Sequence, residues 1–212
     1  LCAAKDARSA FCASCRADLP WLTQSRCPVC ALPTLDSQVC GECLKKPPAF
    51  DRTLAVFSYG FPMDSLIHAL KYDRRLEIAT ALGAELSSAV SSAALADALI
   101  PVPLSRGRLL ERGFNQSAEI AKVIRKRWRV RLADSGERTR ETPPQARLPW
   151  KERAKNIRGV FACEDNFSGR HIALVDDVMT TGATLNELAK VVKKAGAKEV
   201  SCWVVARTLK QD

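Results

Sequence analysis

Seven of the nine cysteines in this 212-residue chain fall within its first 43 residues, and only Cys163 and Cys202 lie beyond them. Six of the seven form C-x-x-C pairs, "CASC" (Cys12, Cys15), "CPVC" (Cys27, Cys30) and "CGEC" (Cys40, Cys43), with Cys2 alone upstream. A C-x-x-C pair on a tight turn brings two thiolates to one tetrahedral Zn²⁺ at about 2.3 Å. A segment this short buries too little apolar surface to fold by itself, so bound metal would supply most of its stability. The competing arrangement, a disulfide framework, belongs to oxidising compartments, and a redox C-x-x-C needs only one pair. The simplest assignment closes one site with Cys27, Cys30, Cys40 and Cys43. It leaves Cys12, Cys15 and Cys2 as a second site, one ligand short. A cysteine two residues before Leu1 would complete a fourth C-x-x-C. With four protein ligands such metals are structural rather than catalytic.

Beyond residue 50 the composition changes to that of an ordinary core, and 47% hydrophobic residues overall suffice for one domain plus the small cysteine-rich one. No stretch approaches the roughly 18 apolar residues of a membrane span, and "LCAAKDARSAFC" lacks the apolar centre of a secretory signal, which points to the cytoplasm. A net charge of +10 favours anionic partners without saying which, and equally suits a plain basic surface. "LKKPPAFD" (44–51) reads as a stiff connector. After it, strands predicted at 53–59, 97–103, 159–163, 171–177 and 199–208 alternate with helices at 64–72, 76–90, 116–128 and 183–196. Such alternation implies right-handed crossovers and a largely parallel, covered sheet, with ligands beyond the carboxyl ends of its strands.

"ALVDDVMTTGATL" (173–185) lies at such an end. The apolar run stops at Asp176 and Asp177, and Thr180, Thr181, Gly182, Ala183 and Thr184 lead into the next helix. The first turn of a helix offers unpaired N–H groups and a positive dipole, so this small, hydroxylated loop can hold a phosphate. The aspartates would repel a phosphate and must face something else. Ionised carboxylates are pure acceptors and suit the vicinal hydroxyls of a sugar. Together the halves describe a ribose 5-phosphate site. A Walker B strand would need a G-x-x-x-x-G-K-[ST] partner and a Rossmann site a G-x-G-x-x-G, and the chain has neither. A plain strand-turn-helix with surface aspartates would leave the acid pair and the hydroxyl run unexplained together.

The stretch resembles the 5-phosphoribosyl-1-pyrophosphate (PRPP) motif of type I phosphoribosyltransferases. "HALKYDRR", "IPVPLSRGRLLERGFNQSAEIA", "RTRETPPQARLPWKERAKNIRGVF" and the terminal "ART" are similar to the ComF/GntX family, whose members carry an N-terminal double zinc ribbon. The resemblance covers essentially the whole chain and departs from the family at the incomplete first cysteine pair. It implies an α/β, type I phosphoribosyltransferase-like fold: a mostly parallel sheet flanked by helices, preceded by a small zinc-ribbon domain. The divisions would be 1–46 for the ribbon, 47–52 for a linker and 53–212 for the transferase-like domain. Asp176 and Asp177 would hold the ribose hydroxyls at the catalytic centre, and Thr180 to Thr184 the 5-phosphate. Val102, Pro103, Leu104 and Ser105 would form the pyrophosphate loop, with Arg106, Arg108 and Arg112 near it. Segment 138–158, including Arg138, Arg140, Gln145 and Arg153, would be a mobile loop over the site. Zinc in the ribbon and Mg²⁺ with PRPP are the implied cofactors. A role in DNA uptake during natural transformation, or in use of external DNA, is implied too. PRPP, single-stranded DNA and competence-machinery proteins would be the partners, without membrane insertion.

Other features are read from the residues alone. Segment 138–158 carries Arg138, Arg140, Arg147, Lys151, Arg153, Lys155 and Arg158 against Glu141 and Glu152, and suits either a solvated loop or a basic lid over a leaving pyrophosphate. His68 and His171 are expected to be structural, and Cys163 and Cys202 to be core thiols. Lys71, Tyr72 and Arg74 are candidates for the rim of an acceptor pocket. "RKRWRVR" (125–131) sets Trp128 among basic residues, either as a nucleic-acid platform or as the solvated end of a helix with Trp128 in the core. The chain could thus be a transferase, a PRPP sensor or a single-stranded-DNA-binding factor.

Overall fold

The computed structural model describes residues 11–91, 95–133, 137–138 and 157–209. Five parallel strands form the main sheet in the order β1-β7-β6-β2-β3: β1 Arg52–Ser58, β2 Ala98–Pro101, β3 Arg131–Leu132, β6 His171–Met179 and β7 Glu199–Arg207. Ile172 to Val175 and Val200 to Arg207 are buried without alternation, as expected of central strands covered on both faces. Their side chains still divide by parity. Ala173, Val175, Trp203 and Val205 enter one core, and Ile172, Leu174, Cys202 and Val204 enter the other.

Helices α3 (Met63–Tyr72), α4 (Leu76–Ala89) and α6 (Gln116–Trp128) feed the first core. There α4 and α6 cross closely at Gly83, where a Cβ would sit 2.9 Å from the Val123 Cβ. Helix α7 (Ala183–Lys194) covers the other face with Leu185, Leu188, Ala189 and Val192. A short α5 (Arg106–Arg112) follows β2. The predicted helices and the strands predicted at 53–59, 97–103, 171–177 and 199–208 appear with ends shifted by at most a few residues, whereas the short edge strand β3 and helix α5 lie outside the predicted elements. The strand expected at 159–163 is different. Only Phe161–Ala162 (β5) is extended, and it pairs antiparallel with Glu137–Arg138 (β4) outside the main sheet. Phe161 is buried and Ala162 exposed, so the segment has one apolar face and satisfies it without entering a doubly covered sheet.

The cysteine-rich segment holds two short helices, α1 (Ala13–Ala17) and α2 (Gly41–Lys45), and it straddles the β1 edge. Leu22 N donates to Val56 O at 2.9 Å, Ser58 N to Pro20 O at 2.8 Å and Thr53 N to Pro28 O at 3.0 Å, and the Arg26 guanidinium donates to Ala55 O at 2.7 Å. An edge strand that would otherwise be open to pairing is thereby covered. Phe11, Cys15 and Leu19 pack with the α3/α4 core, whereas Cys27, Cys30, Ala31 and Cys43 pack with the α7 core. The stretch after α2 is also pinned. Phe50 is buried, Asp51 exchanges bonds with Val200, and Ala49 N donates to Asn186 Oδ1 on the first turn of α7 at 2.7 Å. Among the described residues no helix is long and apolar enough to cross a membrane.

Candidate functional site

From β2 the chain proceeds outward to β3, and from β6 it proceeds the other way to β7, so the direction of winding reverses between β2 and β6. The carboxyl ends of strands at such a switch point leave a crevice. The loop 102–105 lies on one side of it and the loop 180–184 on the other. Pairing of β2 with β6 persists one residue past the strand, through Val102 N to Val175 O at 2.9 Å, and stops at Pro103, which has no N–H.

Asp176 and Asp177 sit near the end of β6 on opposite faces, and their surroundings differ. Asp176 is half-buried; its Oδ1 accepts from Ser117 Oγ at 2.8 Å and from the Asp177 N–H at 2.9 Å. Asp177 is 3% exposed; its Oδ1 accepts from Gln116 Nε2 at 3.3 Å and its Oδ2 is paired with the Lys71 ammonium. Burial and the charge of Asp177 push the Asp176 carboxyl up to about 8. Burial also works against the Asp177 charge, but the Lys71 ammonium outweighs it and holds this carboxyl below the usual range. At neutral pH the pair therefore carries about one negative charge, opposite one ammonium.

The residues that arrange this pair come from "RGFNQS", 112–117, where an expected role attached only to Arg112, beside the pyrophosphate loop. Asn115 caps α6, accepting from Ser117 N at 3.0 Å and Ala118 N at 3.4 Å, and its amide donates to Val102 O at 3.0 Å. Gln116 and Ser117 hold one aspartate each. The buried Arg112 donates to Gln116 Oε1 at 2.8 Å, and its guanidinium lies 5.4 Å from the centre of the Tyr72 ring. The signal was present: Gln116 and Ser117 continue the apolar stripe of Ile120, Ala121 and Ile124, where a polar side chain must have a buried partner.

Of the three rim candidates, Lys71 reaches the acid pair. Tyr72 is exposed beneath Arg112, and Arg74 bonds Glu111 O at 3.4 Å, which sets the segment 71–74 against α5. In the loop 180–184, Gly182 has φ +78° and caps α7, and the Thr181 hydroxyl accepts from Ala183 N at 3.1 Å. Ser105 is buried, whereas Arg106 is exposed and Arg108 half-buried. Arg138 lies in β4; Arg140, Gln145 and Arg153 fall outside the described residues, as does Cys2.

His171 is structural, with Nδ1 3.1 Å from Leu95 O and Nε2 2.8 Å from Ser201 Oγ. His68 is exposed and lies against Tyr72, with ring centroids 4.6 Å apart and ring planes tilted by 41°. Cys202 is a core thiol, and Cys163 is half-buried. Trp128 donates to Ser87 O at 3.0 Å and packs against the core, which commits its ring to α4. The cations Lys122, Arg125, Lys126 and Arg129 remain exposed along one groove of α6.

The Sγ atoms of Cys27, Cys30, Cys40 and Cys43 all lie within 4.8 Å of one another, and the Cys30–Cys40 pair is 3.6 Å apart. Four thiolates about 2.3 Å from one tetrahedral zinc would be about 3.8 Å apart, so the cluster fits that ion. Burial opposes ionisation of Cys27, but the N–H groups of Cys40, Cys30 and Val29 outweigh it and lower its pKa to about 7. Burial raises Cys30 to about 11 and pushes Cys43 up further. Four crowded thiols need a cation to ionise together. Cys12 accepts from Cys15 N at 3.5 Å in a similar turn, and none of the described cysteines is disulfide-bonded.

A parallel sheet with twin acids and a small, hydroxylated helix-capping loop at its switch point, clasped by a cysteine knuckle, defines a phosphoribosyltransferase-type domain joined to a zinc ribbon. The family model for the phosphoribosyl transferase domain matches residues 110–211, and that for the double zinc ribbon domain matches residues 1–44. The DNA utilization protein YhgH of Escherichia coli strain K12 is 41% identical over 192 residues, covering 86% of this chain and 84% of that protein. Competence protein F of Haemophilus influenzae is 35% identical over 182 residues (81% and 79%), and competence protein ComFC of Bacillus subtilis 28% over 208 residues (93% and 84%). The chain belongs to the ComF/GntX family.

Proposed function

We propose that this chain binds PRPP in the crevice between the carboxyl ends of β2 and β6 and transfers its phosphoribosyl group to a nucleophilic acceptor, in the service of DNA uptake or use. The observation that carries the reading is the placing, at one switch point, of an acid pair with separate hydrogen-bond supports directly before a helix-capping loop suited to a phosphate. In it Asp176 and Asp177 accept from the ribose hydroxyls, and Thr180 to Thr184 wrap the 5-phosphate. Val102 to Ser105 line the pyrophosphate, with Arg106 and the basic residues of 138–158 supplying charge. Mg²⁺ would be held chiefly by the diphosphate oxygens of the substrate.

The reaction breaks the bond from ribose C1 to the pyrophosphate oxygen and forms one from C1 to the acceptor, through an oxocarbenium-like state. Pyrophosphate carries away the electron pair of the broken bond, so no side chain need act as a covalent nucleophile. Cations aimed at the developing charge lower the barrier. Lys71 fits this scheme as a group that balances the acids before substrate arrives. In this reading residues 1–46 form a ribbon carrying two structural zinc ions. The first is on Cys12, Cys15, Cys2 and a further ligand; the second is on Cys27, Cys30, Cys40 and Cys43. Residues 47–52 connect the ribbon to a transferase domain over 53–212, and the protein works in the cytoplasm.

Pyrophosphate release from PRPP and Mg²⁺, followed across a panel of bases and amines with and without single-stranded DNA, tests the reading. Release that disappears in Asp177→Asn supports it. Binding of PRPP without release from any acceptor would make the site a sensor, and absence of binding would sink both. The exposed cations of α6 favour a second, compatible activity, in which single-stranded DNA is held through its phosphates. Such binding should fall steeply with salt and survive substitution of the aspartates.

A further inference from the structure

Arg207, the last residue of β7, is 2% exposed and has no carboxylate within 4 Å among the described residues. Its guanidinium is spent on backbone carbonyls. Nε donates to Cys30 O at 2.8 Å; Nη1 donates to Met179 O at 3.0 Å, to Thr208 O at 2.9 Å and to Thr180 O. One buried cation thus joins the backbone of a cysteine in the four-sulfur cluster to the end of β6 and the first residue of the loop that precedes α7. Burying a guanidinium is costly unless its donors are satisfied and its charge balanced. A divalent ion bound by four thiolates carries two net negative charges, which would supply that balance.

The same junction is made a second time by neighbouring residues. Ala49, just past the ribbon, donates to Asn186 Oδ1 on the first turn of α7, and Phe50 packs near Gly182. Between them lies a cleft of about 330 Å³ whose walls are Cys30 and Cys43 on one side and Thr181 to Ala183 on the other, with Arg207 at the seam. The ribbon is therefore the back wall of the loop.

We propose that the Cys27–Cys30–Cys40–Cys43 metal site and the loop 180–184 are coupled through Arg207, so that zinc and a ribose 5-phosphate ligand each tighten the binding of the other. The proposal rests on the reading of 180–184 as the 5-phosphate loop. Arg207 is a positioning residue here; it holds the carbonyls of Met179 and Thr180, and through them the direction of the N–H groups that follow. Coupling between two ligands is reciprocal, so the factor by which zinc raises affinity for the sugar phosphate equals the factor by which the sugar phosphate raises affinity for zinc.

The test uses the full zinc-loaded chain. Zinc affinity is measured by equilibrium competition with a colorimetric chelator, with and without saturating ribose 5-phosphate and with ribose as control, and ribose 5-phosphate binding is measured by calorimetry. The expected result is binding of ribose 5-phosphate, a tightening of zinc at one class of site by about 5-fold or more, and no effect of ribose. Asn186→Ala, which removes the second junction only, should reduce the tightening, and Arg207→Lys should abolish most of it. The wild-type measurement decides whether the two sites are coupled even if Arg207→Lys does not fold. Ribose 5-phosphate that binds without changing zinc affinity would overturn the coupling and leave the phosphate site standing. Ribose 5-phosphate that does not bind would overturn both.

Discussion

Asp176 and Asp177 are adjacent in the chain and opposite in energetic character. A carboxyl raised to about 8 holds its proton more tightly in the folded than in the unfolded chain, where it titrates near 4. Between those values the unfolded chain binds fewer protons at this residue, so stability falls as pH rises, and the cost is fully developed above about pH 8. Asp176→Asn keeps an acceptor for Ser117 and for the Asp177 N–H. It should raise the melting temperature at pH 8.5, by about 2–4 °C for each kcal/mol relieved, and change little near pH 4. Asp177 has the reverse sign. Its lowered pKa contributes stability above about pH 4 that is lost as pH falls through the folded value. Asp177→Asn leaves the Lys71 ammonium without its partner and should cost about 1–3 kcal/mol at pH 7. Melting curves at both pH values separate the twins, and equal shifts for the two variants would contradict the assignment. Both substitutions should weaken PRPP binding. The acid pair and the hydroxyl run were legible in the sequence because they are contiguous. The inequality of the acids was not, because Lys71 and Gln116 reach them from distant elements.

Helix α6 shows how far an element can be read from its pattern. Its span follows from the spacing of Ile120, Ile124 and their neighbours, and the structure returns Gln116–Trp128. Its function at the amino end does not follow from periodicity, since Asn115, Gln116 and Ser117 serve three different partners brought together only by the crossover. Asn115 joins the cap of α6 to the carbonyl of Val102. Asn115→Ala should cost about 0.5–2 kcal/mol in stability, the usual loss of a helix cap. It should also weaken pyrophosphate binding more than ribose 5-phosphate binding, because the loop 102–105 loses its tether while the loop 180–184 keeps its own. Calorimetric titration of each ligand against the variant checks this, and equal losses would place the effect elsewhere. The two-residue strand β5 is the element that periodicity misplaced. An apolar run of that length does not reveal whether it extends the main sheet or forms a separate ribbon, and the distinction is set by tertiary packing against α7.

At the scale of the whole molecule, the change in cysteine content near residue 50 suggests two independent parts, but the packing joins them. Pro20 to Pro28 runs along the outer edge of β1, Trp21 packs on Phe57 with ring centroids 4.6 Å apart, and the two cysteine-bearing halves of the ribbon enter the two opposite cores. Sequence composition could divide the chain by chemistry, yet it held no record of these contacts, which lie between residues remote in the chain. A ribbon that supplies side chains to both cores cannot melt without uncovering the sheet. The chain should therefore unfold in one transition. Fluorescence would follow Trp21 in the ribbon and Trp203 in the core, far-UV circular dichroism the helices, and a chelator-linked dye the zinc; all should change at the same temperature. Removing zinc with a chelator should lower that single midpoint rather than create an early, separate one, because the metal's binding energy is folding energy for the joint unit. An early zinc release that leaves the helical signal and the Trp203 environment intact would show that the ribbon is an appendage and that its contacts with β1 contribute little.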